Sequence, residues 1–385
     1  MRRKSVMLGG CLFAALLQCA IAWAATYPGS GTPTEPYRIS TAAQLNEIGI
    51  TPSDMGACFV LISDIDLADL GPTPFNLIGT AANPFTGVFD GNGHTITNFE
   101  WSGSTDNAGL FSHVGTSGTI KSLGLKRANV TTAGGMYAGA VAGINYGTIE
   151  QCFATGRVEA FQGAGGLVGH NDGLISQSCS ACTLYATDDA PGGLVGHNTG
   201  TIVNCYAHGS ATTPGWWAGG LTALNDGTII KCYSTTFVSS SLHPGGLVAE
   251  GIIPADANSF WDTQTSSQPA SFGGTPLATP QMQTSAYFTA AGWDFEGETA
   301  NGSADIWKML REGRDYPRLA WQPEYPVDIA GQYGVNLEDF AKLAQWWLKT
   351  NCPTSDNCQG ADLNTSGRVD THDLQILASQ WLTPY

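Results

Sequence analysis

Apolar residues along this chain come in short runs, split by Gly, Asn or Asp. Within the runs they alternate with polar ones, as in "GTIVNCY" from Gly200. A period of two over so short a run predicts short strands between tight turns; helices need longer runs. The runs also recur. "AGAVAGINYGTIEQCFATG" begins at Ala138, "AGGLVGHNDGLISQSCSAC" at Ala164, "PGGLVGHNTGTIVNCYAHG" at Pro191 and "AGGLTALNDGTIIKCYSTT" at Ala218. A degenerate "PGGLVAEG" follows at Pro244, so the five starts are almost evenly spaced. A looser copy, "AGLFSHVGTSGTIKSLGLK", begins at Ala108. Self-similarity at a fixed period is the mark of a repeat architecture.

One such unit cannot bury its own apolar face. Stacked units can, at the strand spacing of about 4.8 Å. The expected fold is therefore mostly β: a right-handed parallel β-helix, a pectin-lyase-like solenoid, with one coil per repeat. Equivalent residues then lie one above another. Leu167, Leu194, Leu221 and Leu247 predict one inner ladder, and Ile149, Ile175, Ile202 and Ile229 a second. Cys152, Ser178, Cys205 and Cys232 predict a third, of small inward side chains. Asn145, Asn171, Asn198 and Asn225 predict a ladder of amides at a tight corner.

Upstream, "FVLISDIDL" and "DGNGHTITNF" also read as strands, which makes residues 25–134 leader coils ahead of the repeat coils at 135–262. The stretch 263–322 breaks the period. It predicts a short helix near Thr279–Ala291, with Phe288, Trp293, Phe295, Trp307 and Trp321 covering the open last coil. Bare strand edges there would otherwise invite aggregation.

Composition agrees with this pattern: Gly numbers 49 and charged residues make only 12%. The first residues, "MRRKSVMLGGCLFAALLQCAIAWAAT", have the basic start, apolar stretch and A-x-A site of a secretory signal peptide at 1–24. Its removal takes away three cations and no acids, so the net charge goes from −16 to −19. An exported acidic chain is a poor partner for nucleic acid or anionic membrane. No other segment has the ~20 apolar residues of a transmembrane span. The expected location is secreted, extracellular or at the cell surface.

Several residues suggest chemistry. Stacked thiols could hold a metal, but packing as small hydrophobes is the stronger reading. Cys179 and Cys182 form C-x-x-C on a strand with no second pair, so a local disulfide or packing outweighs redox or zinc. His170 and His197 lie one coil apart, yet the flanking coils carry Ile144 and Leu224, which is no metal array. Asp188-Asp189 is the paired acid of the repeats, and turn chemistry explains it better than glycoside cleavage. Trp216-Trp217 cannot both face inward, so one is a candidate to stack on a sugar or other ligand.

"DLNTSGRVDTHD" at 362–373 is a different object. Oxygen donors stand at Asp362, Asn364, Ser366, Asp370 and Asp373, with Gly367 at the sharp turn and the Arg368 carbonyl between. That is the EF-hand spacing, an oxygen cage suited to Ca²⁺. Leu374, Leu377, Trp381 and Leu382 then mark one helix face. The same face occurs earlier, in the same spacing, in Phe340, Leu343, Trp347 and Leu348. The earlier loop keeps Asp328, Asn336 and Asp339 but has Ala330 and Tyr333 at positions where the second copy has Asn364 and Gly367. Cys352 and Cys358 bracket "PTSDN" and predict a local disulfide in an exported protein.

Two resemblances follow. "GGLVGHNDGLI" and "GGLVGHNTGTIVNCYA", with the leader and closing segments, resemble the GLUG repeat of secreted and surface bacterial proteins over roughly Thr26–Trp321. Such repeats accompany adhesins and non-catalytic parts of IgA-type peptidases; no HExxH stands in this chain. The two loop–helix units at 325–385 resemble a type I dockerin, which implies a small α-helical calcium-binding domain that docks to a cohesin-bearing protein. That resemblance implies one calcium site at 362–373 and a weaker one at Asp328, Asn336 and Asp339. The reading favoured is a non-catalytic protein that binds a glycan, protein or other surface ligand through the β-helix and docks through its C terminus. The alternative is a polysaccharide lyase or glycoside hydrolase on the same scaffold, which rests on fold analogy.

Overall fold

The computed structural model describes residues 27–252, 255–322, 337–352, 358, 361–363 and 366–379. The 1–24 leader, Trp381 and Leu382 lie outside the described residues. About seven turns of chain form a parallel β-solenoid. An eight-stranded sheet runs from Tyr37–Ile39 to Thr228–Ile230, and a six-stranded sheet from Phe111–Val114 to Val248–Gly251. A twelve-stranded sheet carries the long strands Gly124–Thr132, Phe153–Gly165 and Cys179–Asp189.

The coils stack in the register that the repeat predicts. Ile120, Ile149, Ile175, Ile202 and Ile229 pair in succession, each at most 2% exposed. Phe59 and Phe89 continue this column through the leader coils. Leu167 N donates to Leu194 O at 2.9 Å, Leu194 N to Leu221 O at 2.8 Å and Leu221 N to Leu247 O at 2.7 Å. Each such side chain, buried from water, contributes about 1.5–3 kcal/mol.

Local chemistry explains the repeated letters. A Cβ on Gly165, Gly192, Gly219 or Gly245 would lie 1.7–2.0 Å from the carbonyl oxygen three residues later. The corner closes only with glycine there. The amide ladder also forms: Asn145 Nδ2 donates to Asn171 Oδ1 at 2.8 Å, Asn171 to Asn198 at 2.8 Å and Asn198 to Asn225 at 2.7 Å. In the cysteine column the side chains accept backbone hydrogens from the coil before. Ser178 Oγ takes Cys152 N at 3.0 Å, and Cys205 Sγ and Cys232 Sγ take Ser178 N and Cys205 N at 3.4 Å. The preceding corner residues Gln151, Gln177, Asn204 and Lys231 are all left-handed, with φ of 51, 44, 53 and 51°. They turn the next N–H inward, where a small polar side chain can meet it.

Three expectations need correction. The stretch expected to form leader coils, 25–134, also contains a helix, Ala42–Ile48, ahead of the two runs read as strands. Thr41 Oγ1 caps it by accepting Gln44 N at 3.3 Å, and Gln44 Oε1 accepts Ser40 N, just before the cap, at 2.9 Å. The aromatics of 263–322 do not simply lid the last coil. Phe288, Trp293, Phe295 and Trp307 build a second core along the side of the solenoid, over an outward column of Cys179, Tyr206, Tyr233 and Phe260. The strand Gly273–Leu277 covers the open strand edge instead. Finally, the apolar stripe of the first C-terminal helix breaks. That helix, Leu337–Gln345, ends before Trp347; Leu343 is 1% exposed, but Phe340 is 43% and Leu348 69% exposed. Leu348 has φ of 62° and forms the turn beyond the helix.

Candidate functional site

Trp217 opens a short strand, Trp217–Gly219, whose neighbour is His243–Gly245, and Trp216 lies in the bend just before it. Trp216 is 54% exposed. Trp217 is half-buried, stacks on His243 at 6.5 Å, and its Nε1 has no hydrogen-bond partner. The two indoles meet edge to face at 5.6 Å. One buried carboxylate holds the corner: Asp189 Oδ1 accepts Ala190 N at 2.9 Å, Trp216 N at 3.1 Å and Trp217 N at 2.8 Å. Leu242, 59% exposed, takes the place of Trp216 on the next coil.

The paired acid is thus occupied by structure, since Asp188 Oδ2 also accepts Gln162 Nε2 at 2.7 Å. The C-x-x-C pair is split. Three residues apart on a strand point to opposite faces, so Cys182 enters the main core and Cys179 the lateral one. Both are free thiols, and burial pushes each up to about 12. Cys152 is pushed up to about 12 by the same cause. These are packing thiols rather than nucleophiles. His170 and His197 contact edge to face at 4.9 Å, and His197 Nε2 meets Asp226 Oδ2 at 3.0 Å. Burial, then the neighbouring His197, holds His170 below its ordinary value. Among the described residues no three His, Cys, Asp or Glu side chains gather as a metal site.

A cleft of about 410 Å³, unnoticed in the sequence, opens on the outer face of the twelve-stranded sheet. Its floor is the outward column Thr95, Gly124 and Phe153. Its rim is the left-handed corner residues Asn92, Ser122 and Gln151. Trp321 walls one end, 6.4 Å from the Phe153 ring. Lys126 Nζ lies 5.9 Å from the centre of that ring, and burial pushes its ammonium below the usual value, against the charge of Asp64. Asp90, also at the rim, pairs with Lys121 at 3.0 Å. The polar position before each cysteine-column residue was readable in the repeat alignment. Trp321, which bonds to Gln177 from 144 residues away, was not.

In the C-terminal loop Asp362 is 2% exposed and Asp373 fully buried. Asp362 Oδ1 accepts Ser366 N at 2.9 Å and Oδ2 accepts Gly367 N at 2.7 Å. Asp373 Oδ1 accepts Leu363 N and Oδ2 accepts Asp370 N, both at 2.8 Å. The Ser366 hydroxyl donates to Arg368 O at 3.2 Å, and Gly367 has φ of 81°. Asp370 accepts His372 N at 2.9 Å, which holds its carboxyl below the usual range. The donor chemistry is all oxygen, as Ca²⁺ prefers. Asn364, Asp328 and Asn336 lie outside the described residues, and Asp339 is buried. Cys352 and Cys358 are joined by a disulfide.

The GLUG motif matches residues 134–159 and 190–212. Over 165 residues, 40% of this chain, the sequence is 37% identical to halomucin of Haloquadratum walsbyi, of which the match covers 2%. Over 127 residues, 32% of this chain, it is 38% identical to a protein provisionally named a Gly-rich membrane protein of Evansella cellulosilytica, with 15% of that protein covered. The chain therefore spans a small part of the length of these relatives. A solved structure from Bacteroides ovatus, provisionally named an immunoglobulin A1 protease, matches with a TM-score of 0.56 over 77% of this chain and 95% of that one. At 23% identity that likeness shows the solenoid fold alone. No helix among the described residues is long and apolar enough to cross a membrane.

Proposed function

We propose that this GLUG-repeat solenoid is a non-catalytic, exported surface protein. Its solenoid binds a glycan or protein ligand, and its C-terminal 325–385 segment is a calcium-ordered, dockerin-like module that docks to a cohesin-bearing partner. The observation that carries the reading is the corner at Trp216. The backbone of Trp216 is fixed by Asp189, one buried carboxylate, and its exposed indole rests edge to face on Trp217, so an apolar face is offered to solvent. Of the paired acid that a glycosidase would need at this corner, Asp189 is spent on that support and Asp188 accepts Gln162 Nε2. Similarity to halomucin and to a protein named for a membrane location favours the surface.

In the C-terminal module, Ca²⁺ would be held by Asp362, Asn364, Ser366, the Arg368 carbonyl, Asp370 and Asp373, with a weaker set at Asp328, Asn336 and Asp339. The ion would supply the charge that lets two buried carboxylates share one loop. Exposed Leu337 and Leu348 would give the module an apolar contact surface.

Two measurements test this reading. Incubated with pectin, alginate and glycosaminoglycans, the protein should release no reducing ends or unsaturated uronates, and robust cleavage lost in Asp189→Asn would favour the enzyme instead. Calcium should protect the C-terminal segment of the full chain from proteolysis, and Asp362→Ala should remove that protection. If chelator changes nothing, the calcium module is wrong.

A further inference from the structure

The groove that carries the closing segment continues beyond it. On the later coils the outward column Cys179, Tyr206, Tyr233 and Phe260 is covered by that segment. There the corner residues serve the cover: Gln177 O accepts Trp321 Nε1 at 2.9 Å, Asn204 Oδ1 accepts Trp307 Nε1 at 3.5 Å, and Lys231 Nζ donates to Gly292 O. On the earlier coils the floor continues through Phe153 to Gly124 and Thr95, and the corner through Gln151 to Ser122 and Asn92. Here the two columns line the open cleft of about 410 Å³, within the size range of small-ligand sites.

We propose that this uncovered half of the groove binds an acidic saccharide, an oligosaccharide bearing uronic-acid carboxylates. The inference rests on reading the solenoid as a binding body, but it concerns a different face from the Trp216 corner. Three features select that chemistry. Asn92 Nδ2 already donates to Leu61 O at 3.3 Å and Ser122 Oγ to Gln151 Oε1 at 3.5 Å, which leaves the Gln151 Nε2, the Asn92 Oδ1 and the Thr95 hydroxyl to meet sugar hydroxyls. Phe153 and Trp321 give apolar faces against which a pyranose ring can stack.

Lys126 decides the charge. Among the described residues it makes no ion pair, while Lys121 is already taken by Asp90. Its ammonium is half-buried above the Phe153 ring, and burial disfavours its charged form more than the charge of Asp64 favours it. A ligand carboxylate beside it would relieve that cost. A bare inorganic anion would satisfy Lys126 but leave the aromatic faces and the hydroxyl-and-amide rim without a use.

Calorimetric titration of the full chain with a galacturonic acid tetrasaccharide, and in parallel with a neutral galactose tetrasaccharide, tests the proposal. The acidic sugar should bind at least about tenfold more tightly, as expected for one charge-assisted contact. Added salt should narrow the gap. Lys126→Met should abolish the preference, Lys126→Arg should keep it, and Gln151→Ala should weaken both sugars. Equal affinity for the two sugars, no binding of the acidic one, or an unchanged preference in Lys126→Met would overturn it. The broader reading fails separately: a Trp216→Ala chain that loses no surface adhesion counts against that reading and leaves the cleft untouched.

Discussion

The amide of Asn198 is bonded on both sides. It receives Asn171 Nδ2 at 2.8 Å and donates to Asn225 Oδ1 at 2.7 Å, with no exposure to water. Removing it leaves two neighbouring amides short of a partner. Asn198→Ala should therefore lower stability by about 1–3 kcal/mol, read as a shifted urea midpoint. Asn198→Asp should do worse, since a buried charge would then face the Asn225 carbonyl oxygen. The cysteines make a second prediction at this scale. Cys152, Cys179 and Cys182 are buried with their thiols pushed up to about 12, so almost none is thiolate near neutral pH. An aromatic disulfide reagent should leave all three unmodified in the folded protein and label them on unfolding. Rapid native labelling would mean the coils open.

At the level of elements, the outer column His113, Ile144, His170, His197 and Leu224 shows what the sheet tolerates. Aliphatic residues already hold two of the five places, so His170→Leu should fold. It should also change the response to acid. Burial holds His113, His170 and, more strongly, His208 below their ordinary values. The unfolded chain takes up these protons near pH ~6.5 and the folded chain resists. Stability is then full above that pH and declines as pH falls from it toward the folded values. The urea midpoint should drop between neutral pH and mild acid, and the drop should be smaller in His170→Leu. The glycine corner is less forgiving. A methyl at Gly192 would sit 2.0 Å from the Val195 oxygen, so Gly192→Ala should prevent stacking of the coil and leave little soluble protein.

For the molecule as a whole, two cores hold the main body: the inner ladders of the coils, and the aromatic cluster between the twelve-stranded sheet and the closing segment. Trp293 is fully buried among Phe288, Phe260 and Trp307, 4.5 Å ring to ring from the last. Trp293→Ala should cost about 3–5 kcal/mol and expose Tyr206 and Tyr233 to solvent, seen as early loss of near-ultraviolet dichroism. Retention of that signal at the original midpoint would mean the lateral core contributes little.

What the sequence determined by itself was everything that repeats. A constant period requires like residues to meet, so the Ile, Leu, Asn and Cys ladders could be written down in register from the letters alone. The corner at Trp216 was legible in part, because two adjacent indoles at a turn cannot both face inward; that Trp216 is the exposed one came from the fold. Tertiary structure decided what happens once. Whether 263–322 covers the end or the side of the solenoid depended on an outward aromatic column that only the stacked coils create. The helix at Ala42–Ile48 is the exception, a single element whose local cap of Thr41 and Gln44 stands in the sequence. The cleft arises because Trp321, at the far end of the closing segment, meets Phe153 on an early coil, where the cover stops. Repetition turns distant contacts into local ones that a sequence can display; a single long-range meeting has no such second copy to reveal it.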